Sequence, residues 1–492
     1  MMNGSEKSES PIRAMKLANK AAMTAAESTE QRGDAKGNAS TTTTRRTQCR
    51  ESVSSGLARV RKIAKEQPKL RFTALMHHLT LELLRQSYFL LKRNAAPGID
   101  GVTWEAYGER LDEHIVELHA RVHRGAYRAL PSRRKMIPKP DGRERPLGIA
   151  SLEDKIVQRA MVEMLNEIYE ADFLGFSYGF RPGRGQHDAL DALAYAITRT
   201  PVNWIIDADL RAFFDTVNHD WLIRFLELRI GDNRVIRLIR KWLKAGVMDG
   251  LNALATTKGT PQGSVISPLL ANVYLHYCFD LWVDRWRKKN AIGNVVVVRY
   301  ADDIVVGAQR YNDATKLMSE LKKRLAMFSL ELHPQKTRLI EFGRWADERR
   351  RRSGRKKPEP FAFLGFLHIC GKSRKGSFLL RRQTRSDRMR ITLHAIREQL
   401  RKRMHETTED QGRWLQSVVR GYFAYHAVPT NGPALCNFRH RVTLLWRHAL
   451  SRRSQNAYTP WRTMASLVNT WLPKPRVIHP WPQDRFAANH PR

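Results

Sequence analysis

The sequence predicts a mixed α/β body followed by an all-α, basic C-terminal module. Short apolar segments with β character, such as residues 202–210 and 295–299, alternate with helical stretches in the body. Beyond about residue 371 the pattern changes. Apolar residues from Met389 to Met404 recur on one helical face there, and arginines lie elsewhere around the helix. These two patterns predict separate structural units.

Length and charge bound the function. The chain has 492 residues, which predicts roughly three domains. Lys and Arg number 86 against 48 Asp and Glu, and the formal net charge is +38. Because such an excess repels itself, it predicts a polyanionic partner, and nucleic acid is the first candidate. A ribosomal-type RNA-binding protein would carry the same charge, so charge alone does not distinguish binding from catalysis.

Cysteine usage and hydropathy argue against several classes of protein. The four cysteines are far apart and form no CxxC pair, so neither a disulfide framework nor a zinc site is predicted, and a reducing compartment fits. No apolar run is long enough to span a bilayer, and the first residues lack the apolar core of a secretion signal. We therefore expect a cytoplasmic protein that has no membrane partner.

The elements follow in order from local patterns. Residues 1–66 are rich in Ser, Thr, Ala and charge, which predicts a disordered basic extension apart from a short helix at 57–65. From Phe72 onward, leucines recur at helical spacing and begin the folded region. Further elements are predicted as strands on either side of the Pro140-Asp141-Gly142 turn within 136–149, helices at 152–168 and 221–243, a strand at 202–210, strands at 295–299 and 304–306, and helices at 414–426 and 438–450.

Two acidic β segments carry the predicted chemistry. Asp302 and Asp303 fall at a tight turn between two short strands, and Asp209 ends the strand at 202–210. Adjacent carboxylates repel each other, and a divalent cation such as Mg²⁺ removes that cost. A lone Asp-Asp pair is more often an ordinary turn. The second acidic strand favours a metal site, since three carboxylates can hold two metals about 3.5–4 Å apart.

Three motifs in combination resemble one family. Tyr300-Ala301-Asp302-Asp303 resembles the YxDD box of reverse transcriptases, and residues 209–215 resemble their first aspartate motif. Residues 259–264 with Ser267-Pro268-Leu269 resemble the motif between these two. The narrower resemblance is to group II intron-encoded reverse transcriptases with maturase activity, and it extends from about Leu83 to the C-terminus.

The resemblance implies a right-hand polymerase, in which fingers and a palm with an antiparallel sheet precede a helical thumb. We expect fingers at residues 67–200, a palm with the catalytic aspartates at 201–370 and a helical thumb or maturase domain at 371–452. Residues 453–492 are expected to be a short basic segment, either a reduced DNA-binding region or a piece packed on the thumb. Many relatives carry a C-terminal endonuclease with paired cysteines and histidines, and the scarcity of cysteine beyond Cys370 predicts that it is absent.

The resemblance also assigns metal ligands. Asp209 and Asp302 are expected to be the main ligands of two Mg²⁺ ions, with Mn²⁺ as a substitute. The carbonyl of Leu210 is expected to contribute, and Asp303 to complete the acidic cluster.

Five residues are expected to bind the incoming deoxynucleoside triphosphate. Lys139 and Arg145 suit its phosphates, and the alternative is a pair of solvated cations. Phe214 resembles the bulky residue that blocks a ribose 2′-hydroxyl, and the alternative is a core side chain. Gln262 resembles the glutamine beside the nucleotide and template base. Lys336 resembles a lysine that protonates pyrophosphate, with a plain surface lysine as the alternative.

The thumb is expected to bind intron RNA. The resemblance and the charge pattern assign this binding to six arginines, namely Arg397, Arg401, Arg403, Arg420, Arg439 and Arg441. The same stretch contains aromatic residues, which could stack on unpaired bases or form the helix-bundle core; the core is favoured. They are Trp414, Tyr422, Phe423, Tyr425, His426 and Trp446. Residues 363–366 resemble the primer-grip turn that joins palm and thumb.

The leading functional hypothesis is a group II intron-encoded RNA-directed DNA polymerase that copies intron RNA during retrotransposition and assists splicing. Its expected partners are intron RNA, target DNA, an RNA/DNA template–primer and deoxynucleoside triphosphates; the oligomeric state stays open. One alternative is a maturase whose polymerase is idle, which the intact acidic set disfavours. The other is a reverse transcriptase detached from any intron, which the long basic thumb disfavours.

Overall fold

The computed structural model describes residues 56–138, 144–249, 252–254, 259, 263–453 and 458–489. Its strands form three sheets. In chain order they are β1 Ser132–Pro138, β2 Glu144–Ile149, β3 Trp204–Asp209, β4 Val247–Asp249, β5 Asn252–Leu254, β6 Val295–Tyr300, β7 Asp303–Ala308, β8 Arg338–Glu341, β9 Phe361–Phe363, β10 Phe366–Lys372 and β11 Phe378–Thr384.

Helices cover the sheets and form the C-terminal module. In chain order they are α1 Leu81–Leu90, α2 Trp104–Gly108, α3 Leu111–His123, α4 Leu152–Asp172, α5 Gln186–Arg199, α6 Phe213–Thr216, α7 His219–Glu227, α8 Asn233–Lys244, α9 Ser267–Leu275, α10 Leu281–Lys289, α11 Tyr311–Ala326, α12 Ala346–Arg352, α13 Ser386–Lys402, α14 Thr408–His426, α15 Gly432–Leu450, α16 Trp461–Trp471 and α17 Pro482–Asn489. No helix in the described part of the chain is both long and apolar enough to cross a membrane.

The central sheet is antiparallel, with the strand order β6-β7-β3-β8. Its side chains alternate between two hydrophobic cores. Ile206 and Val306 enter the first core, and Ile205 and Val305 enter the second core. Because both faces are buried, the strands are continuous apolar runs in the sequence, and this is why they could be predicted.

The second sheet has the strand order β2-β1-β4-β5. β1 and β2 pair antiparallel up to Pro138 and Glu144, which confirms the predicted pair of strands. The Pro140-Asp141-Gly142 turn between them lies outside the described residues. A parallel contact of Ser132 with Val247 attaches β4 to β1.

The third sheet, β11-β10-β9, connects the body to the C-terminal helices. β9 and β10 meet at a two-residue turn in which Leu364 and Gly365 have φ values of 45° and 80°. Positive φ at both central positions is the geometry that suits a tight hairpin. The Tyr425 hydroxyl, on α14, donates a hydrogen bond of 2.7 Å to the Leu364 carbonyl, so the turn contacts the helical module directly.

The C-terminal helices α13–α16 share a hydrophobic core of their own. Trp446 is fully buried, and its indole N–H donates to Gln411 Oε1 at 3.0 Å. Tyr422 stacks on Phe438 with ring centroids 3.5 Å apart. The structure therefore confirms the helical module and the interpretation of most of its aromatic residues as core.

One predicted helix is divided in the structure. The predicted helix at 221–243 is two helices, α7 and α8, because Asp232 begins a new one by accepting the N–H of Arg234 at 3.0 Å. The same carboxylate accepts the N–H groups of Leu75 and Met76 at 2.9 Å each. Those residues enter a short 3₁₀ turn, so the leucine pattern that starts at Leu75 does not form one continuous helix.

Both ends of the described chain pack on the body. The helical segment at 56–66 buries Val60 and Ala64 in the first core. This segment includes the short helix predicted at 57–65, whereas residues 1–55 lie outside the described chain. At the other end, α16 joins the core of the helical module, and Arg485 of α17 pairs with Asp188 of α5 at 2.9 Å.

Candidate active site

The three predicted aspartates meet at one end of the central sheet. β6 and β7 are joined by a two-residue turn of Ala301 and Asp302, and Tyr300 pairs with Asp303 across it. On the neighbouring strand, Asp209 is directly opposite Asp303. Side chains opposite each other in such a pair have Cβ atoms about 4.5–5.5 Å apart. The fold therefore places Asp209 beside Asp303, with Asp302 in the adjacent turn.

The end of β3 is fixed by the loop that leads to β8. The Asp209 carbonyl accepts the N–H of His333 at 2.8 Å, and the N–H of Arg211 donates to Glu331 at 2.9 Å. These two bonds flank Leu210, which forms an isolated bridge with Leu332. In these bonds the Asp209 carbonyl is an acceptor, whereas the Leu210 carbonyl is not. This geometry is compatible with the expected contribution of the Leu210 carbonyl to a metal site.

Negative charge accumulates at the turn. Asp303 is solvent-accessible, yet it lies where the surrounding protein removes much of its hydration. This desolvation, together with the charges of Asp302, Asp209 and Asp207, raises the pKa of Asp303 to about 7. The Lys336 ammonium partly offsets the charge, with Nζ 2.7 Å from Asp209 Oδ2.

The donor set fits divalent cations. Mg²⁺ is typically held by one or two carboxylates together with substrate phosphates, so its protein ligands can remain open before substrate binds. Among the described residues, no three Asp, Glu, His or Cys side chains form a preassembled metal centre. The fit therefore rests on the chemistry and placement of the aspartates.

A buried arginine supports the turn from below. Arg299, on β6, is completely buried and forms a two-pronged ion pair with Asp280, at 2.7 and 2.5 Å. Its Nη1 donates to the Ala301 carbonyl at 3.1 Å and to Asn272 Oδ1 at 3.0 Å. Its Nη2 also donates to Ser177 Oγ at 2.7 Å. The guanidinium thus links the Ala301–Asp302 turn to three other segments of the chain.

The backbone at Gly179 also packs closely against the turn. A Cβ atom at Gly179 would lie 2.2 Å from the Ala301 nitrogen, so only glycine allows this approach. Asp280 ends a π-helical turn, a distortion that often marks functional sites. Local sequence patterns do not reveal this network. The one available signal is a charged residue, Arg299, within an apolar strand next to the acidic turn.

Comparison with known proteins agrees with this geometry. The family model described as reverse transcriptase (RNA-dependent DNA polymerase) matches residues 137–368. Protein YkfC of Escherichia coli (strain K12) is 37% identical over 276 residues, which cover 49% of this chain and 72% of that protein. The chain belongs to the reverse transcriptase family. This confirms the family predicted from the aspartate motifs.

Other relatives of this reverse transcriptase carry intron names. The group II intron-encoded protein LtrA of Lactococcus lactis subsp. cremoris is 34% identical over 222 residues, which are 45% of this chain and 37% of LtrA. The putative COX1/OXI3 intron 2 protein of Saccharomyces cerevisiae is 34% identical over 211 residues, or 42% of this chain and 24% of that protein. These matches confirm the resemblance to intron-encoded proteins, although they span well under half of either relative.

Phe214 is in α6, five residues after Asp209 in the chain. A left-handed residue, Ala212, with φ of 45°, turns the chain from β3 into α6. Phe213 is buried in the first core, whereas Phe214 is only half-buried. A Cβ atom at Gly259 would lie 2.9 Å from the Phe214 carbonyl, so Gly259 packs against this turn.

The remaining nucleotide-binding candidates are only partly described. Lys139 and Gln262 lie outside the described residues. Arg145 is in β2 opposite Ile137, and only its backbone is described. Gly263 approaches the Gly148 carbonyl of β2 too closely for any Cβ, at 2.7 Å. The two segments expected to contact the nucleotide are therefore adjacent.

The predicted RNA-binding arginines fall into two groups. Arg397, Arg401, Arg420 and Arg441 are exposed on the helical module. Arg439 instead donates to the carbonyls of Val468 and Leu472 at 3.1 and 3.2 Å, and thereby joins α15 to α16. Arg403 pairs with Glu406 at 2.9 Å and lies over the Trp414 ring. The exposed group offers the more accessible charge.

Proposed function

We propose that this protein is a group II intron-encoded RNA-directed DNA polymerase. It would copy intron RNA into DNA during retrotransposition and bind the same RNA to assist splicing. The observation that carries the proposal is the placement of Asp209 opposite Asp303, with Asp302 in the adjoining turn, at the end of an antiparallel sheet. In this assignment the central sheet is the palm, β1 and β2 belong to the fingers, and α13–α16 form the thumb.

The chain's own residues would prepare the site for nucleotide addition. Asp209 and Asp302 would hold two Mg²⁺ ions, or Mn²⁺ in their place, with Asp303 completing the acidic set. When bound, the metal pair lowers the pKa of the primer 3′-hydroxyl and stabilises the pyrophosphate leaving group. Lys336, which pairs with Asp209 at 2.7 Å, keeps a proton donor beside the carboxylates. Phe214 would limit the space at the sugar.

We expect Phe214→Ala to admit ribonucleotides more readily. If the ring occupies the space of a 2′-hydroxyl, removing it should raise ribonucleotide incorporation relative to deoxyribonucleotide incorporation by about tenfold or more, the range that steric fit within a pocket provides. Single-nucleotide extension with each substrate measures the ratio. Phe214→Tyr keeps the ring and serves as the control. An unchanged ratio in an active Phe214→Ala enzyme would assign Phe214 to the core instead.

The proposed maturase role predicts that intron RNA binding and DNA synthesis depend on different surfaces. Arg397→Glu combined with Arg401→Glu reverses two exposed charges on α13 and leaves its buried face intact. We expect this variant to lose intron RNA binding and splicing assistance more than extension of a generic RNA template with saturating primer. The physical reason is that each lost phosphate contact weakens RNA binding in a salt-dependent way, with a slope change of about 0.7 per contact.

A matched control tests whether the position of the charges matters. Lys322→Glu combined with Lys323→Glu reverses two exposed charges on α11, a helix assigned to the palm. Splicing in near-physiological Mg²⁺ and primer extension are measured for both variants. Equal losses in the two assays for the α13 variant, or equal losses of splicing in both variants, would remove the support that this region gives to a maturase role.

A further inference from the structure

A second basic surface lies at the end of the central sheet opposite the catalytic aspartates. Arg344 lines a cavity there with Arg199, Arg382 and Trp481, and residues 345–357 continue the chain from Arg344. We call these residues together the distal basic face. We propose that the distal basic face binds a single-stranded or looped segment of RNA outside the template–primer duplex. The proposal rests on the proposed function for the identity of that RNA.

The position of this face separates it from the chemistry. Strand β3 runs from Trp204 to Asp209, and its six residues span roughly 17 Å at the usual rise per residue. Phe342, just before the face in the chain, is held at the Trp204 end of β3, because its N–H donates to the Asn203 carbonyl at 2.9 Å. Arg349 also donates to Asn203 Oδ1, at 3.0 Å. RNA bound here would therefore not overlap the nucleotide site at Asp209.

Charge on this face exceeds what the fold neutralises. Residues 344–357 contain eight Lys and Arg but only two acidic residues. Arg349 and Arg350 lie near Glu341, and the i,i+4 pairs Arg351–Asp347 and Arg352–Glu348 lie along α12. Within the described chain, no carboxylate forms an ion pair with the last three cations, Arg355, Lys356 and Lys357, which are exposed. Uncompensated clusters of this kind are typical of phosphate-binding surfaces.

A cavity gives the face a place for a nucleotide. It has a volume of about 340 Å³ and lies between α5, β11 and the segment that leads into α17, with Arg199, Arg344, Arg382 and Trp481 among its lining residues. Arg382 is 2% exposed and pairs with Asp191 at 2.8 Å. Because Asp191 neutralises the buried Arg382, the exposed Arg199 and Arg344 are the lining cations that can contact a phosphate in the cavity.

An exposed indole specifies the kind of nucleic acid. Trp481 is 47% exposed at the cavity, although it is among the largest apolar side chains of the protein. Aromatic faces stack on unpaired bases without regard to their sequence. A duplex would present phosphates to the arginines but no base face to Trp481. The combination of arginines and an open ring therefore favours a single-stranded or looped RNA over a duplex.

The test compares two triple charge reversals. Arg355→Glu with Lys356→Glu and Lys357→Glu changes the distal basic face. The matched control, Lys316→Glu with Lys322→Glu and Lys323→Glu, reverses three exposed charges on α11. Binding of a labelled RNA hairpin with a single-stranded tail is measured by filter binding at several salt concentrations, in the presence of saturating template–primer duplex. We expect the distal variant to flatten the salt dependence by about 2 in slope, from three lost contacts at about 0.7 each, and the control to keep the wild-type slope.

A second variant, Trp481→Ala, tests the cavity without changing charge. It should weaken binding of the tailed hairpin about tenfold while binding of a blunt duplex RNA stays unchanged, as expected for one lost stacking contact. Equal slope changes in both triple variants, or equal effects of Trp481→Ala on tailed and blunt RNA, would overturn the proposal. Loss of RNA binding in the distal variants of a protein that extends no primer would refute the polymerase assignment and still support this surface.

Discussion

Replacing Asp302 or Asp209 by alanine should abolish DNA synthesis while leaving RNA binding largely intact. Each change removes a carboxylate from the shared end of β3 and β7. Removing a residue that only orients a metal ligand typically lowers metal affinity or activity about 10–100-fold. Loss of a ligand itself should therefore lower activity more than about a hundredfold. The basic surfaces proposed to bind RNA are untouched by either change. Primer extension and filter binding on the same preparation measure the two properties.

A neighbouring aspartate provides the control for this prediction. Asp207 is two residues before Asp209 on the same strand, and its carboxylate lies 3.4 Å from Arg338. Asp207→Asn alters the local charge without removing a proposed ligand, so it should retain most of the activity. Extension at a near wild-type rate by Asp302→Ala, or equal losses in Asp207→Asn and Asp302→Ala, would contradict the assignment of the ligands.

The second large effect is expected at Arg299. Arg299→Lys keeps a positive charge beside Asp280 but loses the arm that reaches the Ala301 carbonyl. We expect the turn that carries Asp302 to lose its fixed position. The turnover rate should therefore fall about tenfold or more, as for the loss of residues that orient metal ligands. The KM for the template–primer should change little, and the Mg²⁺ concentration for half-maximal activity should rise. Arg299→Ala is less informative, because breaking a buried ion pair costs about 3–5 kcal/mol and can unfold the protein.

A second buried arginine, Arg229, provides the control that distinguishes a positioning role of Arg299 from a purely structural one. Arg229 pairs with Asp172 at 2.9 Å and donates to the carbonyls of Gln67 and Leu70, and none of these contacts involves the catalytic turn. Arg229→Lys should lower the thermal stability about as much as Arg299→Lys, without changing the Mg²⁺ requirement. If both variants change stability and Mg²⁺ dependence alike, Arg299 has only a structural role.

The strands that carry the aspartates could be predicted from the sequence because local pattern and tertiary role coincide there. β3 and β7 are buried on both faces, so their apolar runs are conspicuous, and the acidic residues stand at the ends where those runs stop. The predicted helix at 221–243 failed for a local reason. Asp232 falls within an apolar pattern of helical period, but its carboxylate caps a new helix and holds the distant backbone of Leu75.

Contacts between distant segments could not be predicted from local pattern. The network beneath the turn joins Arg299 to Ser177, which is 122 residues away, and to a π-helical turn that no periodicity reveals. The same limit applies to the arginines of the helical module. Arg439 and Arg397 look alike in sequence, yet one holds α16 in place and the other is exposed. Only the packing of neighbouring helices distinguishes them.

The most direct test of the central claim is a change of metal preference at Asp302. Asp302→Cys replaces a carboxylate oxygen by a softer sulfur ligand, which disfavours Mg²⁺ and tolerates transition metals better. Extension of a DNA primer on an RNA template is measured for the wild type and for this variant, in Mg²⁺ and in Mn²⁺. If Asp302 binds the catalytic metal, the variant should be inactive in Mg²⁺ and regain part of its activity in Mn²⁺. Retention of the same substantial fraction of wild-type activity in both metals would show that Asp302 does not contact the metal.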